Sequence, residues 1–336
     1  MGFQGTAIFT GLTSHFKRSK SLSRGKRSSW SSKFSPKASS EASSKKQAIP
    51  SKGEASCPFE RGLSIYGHHH FAKFFNHLNP ELETADPRYY ELALDLMDAL
   101  HMGGMLVDDV VDDSEFRKGH QAAHLLFGKN ETVNRAYTRI FEALAKVAEH
   151  RPAVLRLVMN DIYEIHNGQD ISLVWRRDGL PEMDKATALS TYRQMAYWKT
   201  GAIFRAIGHL VFGDESRDEI FTRFAWCCHL QNDCKNVYSS DYVSAKGGYV
   251  EDLKNGEYTM PIILALFASP EVSGPVRKAL EETDSPNRDQ LLKDGSMALQ
   301  NSQVRDVCLS ELEELKGSLA EFASIWGRDE KMDAAV

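Results

Sequence analysis

A group of carboxylates at the end of an apolar segment is the feature that most limits what this chain can fold into. Residues 90–107 are apolar and helix-forming, and Asp108 and Asp112 follow them at a spacing of four. In a helix that spacing places both side chains on one face. Charge at the end of a buried helix is costly unless a cation compensates it. Oxygen ligands grouped in this way favour Mg²⁺, which also takes the oxygens of a substrate phosphate.

A solvated acidic helix end is the alternative interpretation, because most runs of charge are exposed to water. Two features of the run argue against it. The apolar pair Val110 and Val111 interrupts the acidic residues, and the basic pair Arg117 and Lys118 follows them. We therefore predict a metal and phosphate site here rather than a surface patch.

A second polar cluster ends another apolar helix. The segment 226–236 closes with Asn232, Asp233 and Asn236, whose oxygens are of the same hard type. Alone this pattern is weak, since short polar runs are common at helix ends. Together with the first cluster, it predicts two helices whose oxygen ligands face each other and clamp a magnesium diphosphate.

In the order of these motifs the chain resembles the trans-isoprenyl diphosphate synthases, over most of its length after Cys57. The first aspartate-rich motif of that family, with its basic pair and glycine, matches the segment from Asp108 to Gly119. Other elements match in the same order: His101, His124, Gly168-Gln169-Asp170, Lys199-Thr200-Gly201, Gln231-Asn232-Asp233 and Glu251-Asp252-Leu253. The resemblance implies an all-α fold, a helical bundle around a central cavity, and ionisation of an allylic prenyl diphosphate by bridging Mg²⁺.

The resemblance also implies roles for individual residues. The catalytic residues would be Asp108, Asp109, Asp112 and Lys199. The metal ligands would be Asp108, Asp109, Asp112, Asn232, Asp233 and Asn236. The substrates would contact His68, His101, Gly103, Gly104, Arg117, Lys118, Gln169, Lys199, Thr200 and Gln231. Apart from any resemblance, Lys199 lies in an apolar helical segment, residues 192–212, where a lone ammonium needs an anion such as diphosphate.

The acceptor side departs from the family pattern. The family binds isopentenyl diphosphate through a Gly-Lys-x-x-Arg element and the second arginine of an Arg-Arg-Gly triplet. This chain has three histidines between Gly67 and Phe71, and it has Lys118 in the triplet. Arginine can donate two hydrogen bonds to one phosphate, whereas histidine is weakly charged at neutral pH and phenylalanine donates none. Glu257 also stands where the family often has a lysine. We therefore expect ionisation of a prenyl diphosphate without transfer to isopentenyl diphosphate.

This combination is similar to the fungal indole-diterpene prenyltransferases, which transfer a geranylgeranyl group to indole-3-glycerol phosphate. That resemblance implies an acceptor wall made by His68, His69, His70 and Phe71, although adjacent histidines on a helix point in different directions and at least one would lie outside the site. Three other hypotheses stay open: a geranylgeranyl diphosphate synthase, a terpene cyclase of the same fold and a catalytically silent partner subunit. The intact first motif opposes the last of them, and the missing Gly-Lys-x-x-Arg element opposes the first.

Two adjacent glycines bear on the length of the donor. Gly103 and Gly104 are the fifth and fourth residues before Asp108, where the resemblance places bulky aromatics in enzymes with short products. Glycine in a helix costs about 1 kcal/mol relative to alanine, so a buried pair indicates either open space or a close helix approach. Both interpretations leave a deep apolar tunnel that fits a C20 donor. By spacing alone, Gly168 predicts a helix break.

The remaining features bear on the domain organisation and on the kinds of partner that the chain can have. Residues 1–52 are rich in Ser, Lys and Arg and nearly free of acid, which predicts a disordered tail, with an organelle-targeting peptide as the alternative. Residues 53–336 are then the prenyltransferase domain. The net charge of −5 argues against a nucleic-acid partner, and no apolar run reaches the roughly 18 residues of a membrane span.

Cysteine usage and a leucine stripe add two expectations. The five cysteines lack metal-binding spacing, which predicts reduced thiols in an intracellular, cytoplasmic enzyme. The family usually forms homodimers, and we expect one here. A stripe at helical spacing fits core or dimer packing better than a ligand site, and it consists of Leu309, Leu312, Leu315 and Leu319.

Overall fold

The computed structural model describes residues 56–245 and 249–318. The predicted tail, residues 1–52, lies outside this range, and so does Leu319. The described residues form helices α1 Pro58–Tyr66, α2 Ala72–Leu78, α3 Leu82–Ala85, α4 Pro87–Val111, α5 Ala123–Phe127, α6 Lys129–His150, α7 Pro152–Asp178, α8 Lys185–Ala196, α9 Ala202–Phe212, α10 Asp218–Tyr238, α11 Ser240–Ala245, α12 Glu251–Lys254, α13 Met260–Leu266, α14 Pro270–Glu281, α15 Arg288–Ala298 and α16 Ser302–Ser318. The predicted all-α fold is confirmed.

Helix α4 is the centre of the bundle, and it packs along α6 and against α1, α3, α5 and α9. Its start is fixed by Asp86, whose side chain accepts a hydrogen bond from the backbone N–H of Tyr89 at 3.1 Å, with Pro87 as the first helical residue. The far end of the same helix carries the first acidic motif: Asp108 lies in the last turn and Asp112 caps it. The predicted buried helix that ends in charge is therefore present.

Helices α8 and α9 are joined by a π-helical turn, Tyr197–Gly201, which contains Lys199. Turns of this kind are rare and occur mostly at functional sites. Helix α7 packs directly against it at Gly168, where an added Cβ would lie 2.8 Å from the backbone nitrogen of Lys199. The expected helix break at Gly168 was wrong, because α7 continues through it and the glycine serves this close approach instead.

Aromatic side chains fill the core beside α9 and α10. The rings of Phe204 and Phe224 meet edge to face at 5.0 Å, and Phe74 from α2 stacks on Phe224 at 6.0 Å. The leucine stripe on α16 is core packing, since Leu312 is buried and its helical neighbours pack against the core. Among the described helices, none is both long and apolar enough to span a membrane.

A short β-hairpin follows α4, where no strand pattern is visible in the sequence. Its strands are β1 Phe116–Arg117 and β2 His120–Gln121, paired antiparallel. Strands of two residues leave no alternation to detect. The connecting residues Lys118 and Gly119 both have positive φ, 49° and 76°, as a tight two-residue hairpin turn requires. The hairpin holds Arg117 and Lys118 beside the end of α4.

Candidate active site

A polar cavity opens where α4, α7, α8, α10 and α12 come together. Its lining has two cations among the described residues, Arg117 and Lys199. The carboxylates of the same lining are Asp108, Asp112, Asp233, Glu251, Asp252 and Glu257, and its amides are Asn232, Asn236 and Asn255. The two acidic clusters predicted from the sequence therefore line one cavity, with an excess of negative charge.

The shifted pKa values of three carboxyls show how strongly this cavity disfavours anions. Burial raises the pKa of Asp108 to about 6, and the nearby charge of Asp112 adds to the effect. Burial likewise raises the pKa of Asp233 to about 7. The pKa of Asp252 rises to about 8, through burial and then the charges of Asp233 and Glu257. A cation that entered the cavity would stabilise the ionised form of all three carboxyls and lower their pKa values.

The donor set fits a divalent cation that keeps open coordination positions. Asp108 and Asp112 lie at the end of α4, and Asp233 and Asp252 come from α10 and α12. No three acidic, histidine or cysteine side chains of the described residues converge on a single point. A metal here would thus take one or two carboxylates and complete its shell with water and phosphate oxygens, as Mg²⁺ does.

Asp109 differs from the other aspartates of the first motif. It is buried, and it accepts hydrogen bonds from Arg117, with Nε at 2.9 Å and Nη2 also in contact. It does not line the cavity, whereas Arg117 does. The structure thus places Asp109 as the anchor that holds the guanidinium of Arg117 at the cavity wall, with Asp108 a further 3.6 Å contact. To bind a metal as the sequence predicts, Asp109 would have to break its hydrogen bonds with Arg117.

Asp112 is held by an arginine from α7. Arg176, from the last turn of α7, donates from Nη2 to Asp112 at 2.6 Å, and the same nitrogen contacts Glu257. All three side chains are about one-fifth exposed, at 21%, 17% and 22% in the order Arg176, Asp112, Glu257. The loss of positive charge expected from Glu257 is therefore offset locally by an arginine that the sequence did not single out.

A chain of hydrogen bonds connects the π-helical turn to the second acidic cluster. Tyr192 has one hydroxyl proton and donates it to Asp233, so its 3.0 Å contact with His229 has Nε2–H as the donor. Nδ1 of His229 is then the acceptor for the Thr200 hydroxyl at 2.8 Å. Burial lowers the pKa of His229 to about 3, so the ring is neutral, as this arrangement needs. Thr200 is thereby positioned beside Lys199.

An apolar tunnel continues from the carboxylate end of the cavity, since Asp108 lines both spaces. Its other lining residues come from α4, α6 and α7: Leu100, Gly103, Gly104, Val107, Tyr137, Ile140, Ile162, Ile165, His166 and Gln169. A molecule with an anionic head at the carboxylates would thus extend an apolar tail between these helices.

The two glycines of α4 have different surroundings in this tunnel. An added Cβ at Gly103 would lie 2.8 Å from Cδ1 of Ile140, so this glycine permits the close packing of α6. An added Cβ at Gly104 meets nothing within 4 Å. Each of the two interpretations drawn from the sequence therefore applies to one glycine. The expected buried pair was wrong for Gly104, which is exposed and borders open space, whereas Gly103 is buried.

An aromatic cluster of Tyr66, His70, Phe71 and His101 lies beside α4, about two turns before Asp108. The rings of His70 and His101 stack at 5.6 Å with an interplanar angle of 5°, and Phe71 meets His101 edge to face at 5.3 Å. Tyr66 closes the cluster, with Nζ of Lys118 4.2 Å from its ring centroid. His101 and Asp108, seven residues apart on one helix, share a face.

The aromatic cluster is neutral apart from its rim. Burial lowers the pKa of His101 to about 4 and that of His70 below its ordinary value. Nδ1 of His101 is buried and has no hydrogen-bond partner among the described residues. Lys118, at the rim, supplies positive charge.

The loop that carries the histidines is fixed by Asp98 of α4. This buried carboxylate accepts hydrogen bonds from the backbone N–H groups of His69 at 2.7 Å and His70 at 3.3 Å. His68 instead lines a separate cavity bounded by α1, α4 and α6. Of the three histidines, only His70 has its ring in the aromatic cluster with His101.

Comparison with known proteins gives the chain its family. A family model described as polyprenyl synthetase matches residues 69–294, about two-thirds of the chain. The chain belongs to the polyprenyl synthetase family.

Two fungal prenyl transferases are similar to this chain over most of its length. It is 42% identical over 298 residues to prenyl transferase penC of Penicillium crustosum, covering 87% of this chain and 85% of that protein. It is 46% identical over 280 residues to prenyl transferase janC of Penicillium janthinellum, covering 82% and 84%. The protein is therefore a prenyltransferase, and the family resemblance inferred from its motifs is confirmed.

A solved structure shows the same fold. The polyprenyl synthase of Caulobacter crescentus CB15, complexed with calcium and isoprenyl diphosphate, superimposes with a TM-score of 0.62 at 19% identity. The alignment covers 77% of this chain and 81% of that one. This likeness confirms the helical bundle around a central cavity.

Ten of the sixteen site residues predicted from the sequence line the cavity or tunnel of this prenyltransferase. The six that line neither are Asp109, His68, His101, Lys118, Thr200 and Gln231. Asn236 reaches the cavity and donates from Nδ2 to both oxygens of Asp252, each at 3.0 Å.

Sequence reasoning gave no role to Arg176, Tyr192, His229 or Asp252. Asp252 had a signal, since its Glu-Asp-Leu element was recognised without a function being attached.

The raised carboxyl pKa values predict how stability depends on pH. Unfolding returns Asp233 and Asp252 to pKa values near 4, so ionisation costs free energy in the folded state only. Metal-free protein should therefore lose stability as pH rises from about 5 to about 8, through the folded pKa values of about 7 and about 8. Urea unfolding in the presence of a chelator at several pH values measures this.

Asp252→Asn is the matched variant for this measurement. This substitution removes the carboxyl whose pKa is shifted most. Between about pH 5 and 8, the free energy of unfolding of the variant should therefore decrease less than that of the wild type, by a difference of at least about 1 kcal/mol. Stability of the metal-free wild type that increases between about pH 5 and 8 would contradict the prediction.

Proposed function

We propose that this prenyltransferase transfers the geranylgeranyl group of geranylgeranyl diphosphate to carbon 3 of indole-3-glycerol phosphate, with Mg²⁺ as cofactor. The observation that carries the proposal is the pairing of two unlike compartments along α4. A carboxylate-rich cavity suits a metal diphosphate, and a neutral aromatic cluster with one lysine at its rim suits a flat ring that bears a single phosphate.

The donor head group would bind in the polar cavity. Asp108 and Asp112 on α4 and Asp233 on α10 would hold Mg²⁺, with one or two carboxylates to each ion, and Asn232 and Asn236 would assist. Asp252 accepts the hydrogen bonds of Asn236. When bound, Mg²⁺ neutralises the charge that develops on the departing diphosphate.

The cations of the cavity act on the same oxygens. Lys199, placed on the π-helical turn, and Arg117, held by Asp109, would donate hydrogen bonds to the diphosphate. Thr200 is oriented beside Lys199 by His229. Charge stabilisation at the leaving group lowers the barrier to ionisation. Bond breaking then leaves the allylic cation at the entrance of the tunnel.

The donor tail would occupy the tunnel between α4, α6 and α7. Its apolar walls exclude water, which would otherwise trap the cation as an alcohol. Gly104 leaves space that a long tail needs, which supports a C20 donor over shorter ones.

The acceptor would bind at the aromatic cluster. An indole ring would gain aromatic contacts from His70 and His101, while Phe71 is buried behind them and supports the ring of His101 from the core. Lys118 would contact the acceptor phosphate from the rim. Isopentenyl diphosphate carries no ring and needs more cations than this compartment offers. After carbon 3 attacks, the indole loses a proton, and released diphosphate is its proposed acceptor.

A single assay tests the proposed function. Purified protein with Mg²⁺ and geranylgeranyl diphosphate is incubated with indole-3-glycerol phosphate, with isopentenyl diphosphate, or alone, and the products are identified by mass spectrometry. We expect a prenylated indole in the first reaction only. A C20 diphosphate formed from farnesyl diphosphate and isopentenyl diphosphate would show a geranylgeranyl diphosphate synthase, and a hydrocarbon in the third reaction would show a cyclase. Asp108→Ala, with an unchanged circular dichroism spectrum, should lose activity by orders of magnitude.

The acceptor compartment is tested by comparing two histidines. His70→Ala should raise the KM for the indole acceptor about three- to tenfold, the value of one aromatic contact, and leave the KM for the donor unchanged. His68→Ala is the matched control, because His68 lines another cavity. Steady-state kinetics with each substrate varied gives both constants. Equal effects of the two substitutions would place the acceptor elsewhere.

Donor length is tested at Gly104. Gly104→Phe should fill the open space of the tunnel and shift donor preference from C20 toward C15 or C10. Gly104→Ala adds a single methyl group to the same space and should keep the C20 preference. Competition among the three diphosphates, with products quantified, measures the shift. If the phenylalanine variant keeps its C20 preference at full rate, the tail runs elsewhere.

The remaining parts of the proposal are a homodimer and a cytoplasmic location. Size-exclusion chromatography with light scattering would test the first, and imaging of the tagged protein in its host would test the second.

A further inference from the structure

Arg176 occupies a junction between three elements behind the wall of the polar cavity, which its partners line but it does not, and it borders a neighbouring cavity. Its guanidinium reaches Asp112 at 2.6 Å and Glu257, and Nη1 lies 3.4 Å from the backbone carbonyl of Val111. These partners belong to the end of α4 and to the segment between α12 and α13, while Arg176 itself is on α7. One side chain thus ties the three elements together.

The contacts of Arg176 are concentrated on one part of its guanidinium. Nη2 serves both carboxylates. Nε is buried and has no hydrogen-bond partner among the described residues. A guanidinium has five N–H donors in a rigid fork that matches phosphate oxygens. Arg176 therefore has donor capacity that its contacts in this structure do not use.

The partners of Arg176 also line the space in which the diphosphate is proposed to bind. Asp112 and Glu257 both border the cavity. A metal at Asp112 would compete with Arg176 for that carboxylate, because both are cations on the same oxygens. A diphosphate beside Glu257 would meet an uncompensated like charge unless a cation stood between them. Both changes favour movement of the guanidinium from the carboxylates to the diphosphate.

We propose that Arg176 is a diphosphate-binding residue that pairs with Glu257 until the donor binds. Donor binding then moves its guanidinium from Glu257 to a diphosphate oxygen. The inference rests on the proposed function, since it takes the diphosphate to bind in this cavity. In the empty site, Arg176 offsets the charge of Asp112. When the donor is bound, Arg176 supplies positive charge beside Glu257, which stands where the family often has a lysine.

The exchange makes Glu257 a competitor of the substrate. Each time a diphosphate binds, the contact between Arg176 and Glu257 has to break. Removing the charge of Glu257 should therefore tighten diphosphate binding, but only while Arg176 is present to receive it. That dependence separates an exchange of partners from simple repulsion between two anions, which would act regardless of Arg176.

Isothermal titration calorimetry of inorganic diphosphate in the presence of Mg²⁺ measures these effects without turnover. Arg176→Gln should weaken binding about tenfold or more, as expected for loss of a charged hydrogen bond. Arg177→Gln is the matched control, since Arg177 is the next residue, is 72% exposed and pairs with Asp178. It should bind as the wild type does. Glu257→Gln should bind about three- to tenfold more tightly.

The double variant Arg176→Gln/Glu257→Gln completes the cycle. The gain from Glu257→Gln should shrink to less than about twofold when Arg176 is absent. An equal gain in both backgrounds, or equal affinities of the Arg176 and Arg177 variants, would overturn the inference and leave the proposed function standing. Wild-type protein that binds no diphosphate with Mg²⁺ would overturn the proposed function and the inference with it. Circular dichroism of each variant confirms that the fold is retained.

Discussion

The burial of several carboxylates in one cavity, with repulsion among them as the smaller effect, is the constraint on which the rest of this structure depends. Asp108, Asp233 and Asp252 resist ionisation there, as their raised pKa values show. The surrounding contacts limit the cost: Arg176 sits on Asp112, and a tyrosine hydroxyl is donated to Asp233. Such an arrangement is expensive for stability. It becomes understandable if the cavity is built for a cation and a polyanion that enter together.

The cavity is useful because of what lies beside it along α4. The apolar tunnel adjoins it at Asp108, and the neutral aromatic cluster around His101 lies about two turns earlier on the same helix. A cation released at Asp108 would thus have a hydrocarbon wall behind it and aromatic rings within reach, with little nucleophilic charge nearby. In the proposed reaction, the charged groups of the cavity would stabilise the leaving diphosphate, and the neutral aromatic cluster would receive the attacking acceptor.

Local sequence spacing predicted a good part of this site. The four-residue interval between Asp108 and Asp112 fixed their common face, because helical periodicity is a local property. The apolar surroundings of Lys199 marked it as a residue that needs an anion, and the structure places it on a π-helical turn in the cavity wall. Spacing was less informative where a motif repeats one residue type. It did not distinguish Asp109, which anchors Arg117, from its neighbours that line the cavity.

The sequence by itself determined the all-α class, the two acidic clusters and the apolar helix that carries the first, since each follows from periodicity and charge within a short segment. Only the tertiary structure decided which side chains meet. It put His70 rather than His68 against His101, gave Gly103 to packing and Gly104 to open space, and brought Arg176 onto Asp112 from 64 residues away. Those outcomes depend on how α4, α6 and α7 pack together, and contacts between distant segments leave no local pattern in the chain.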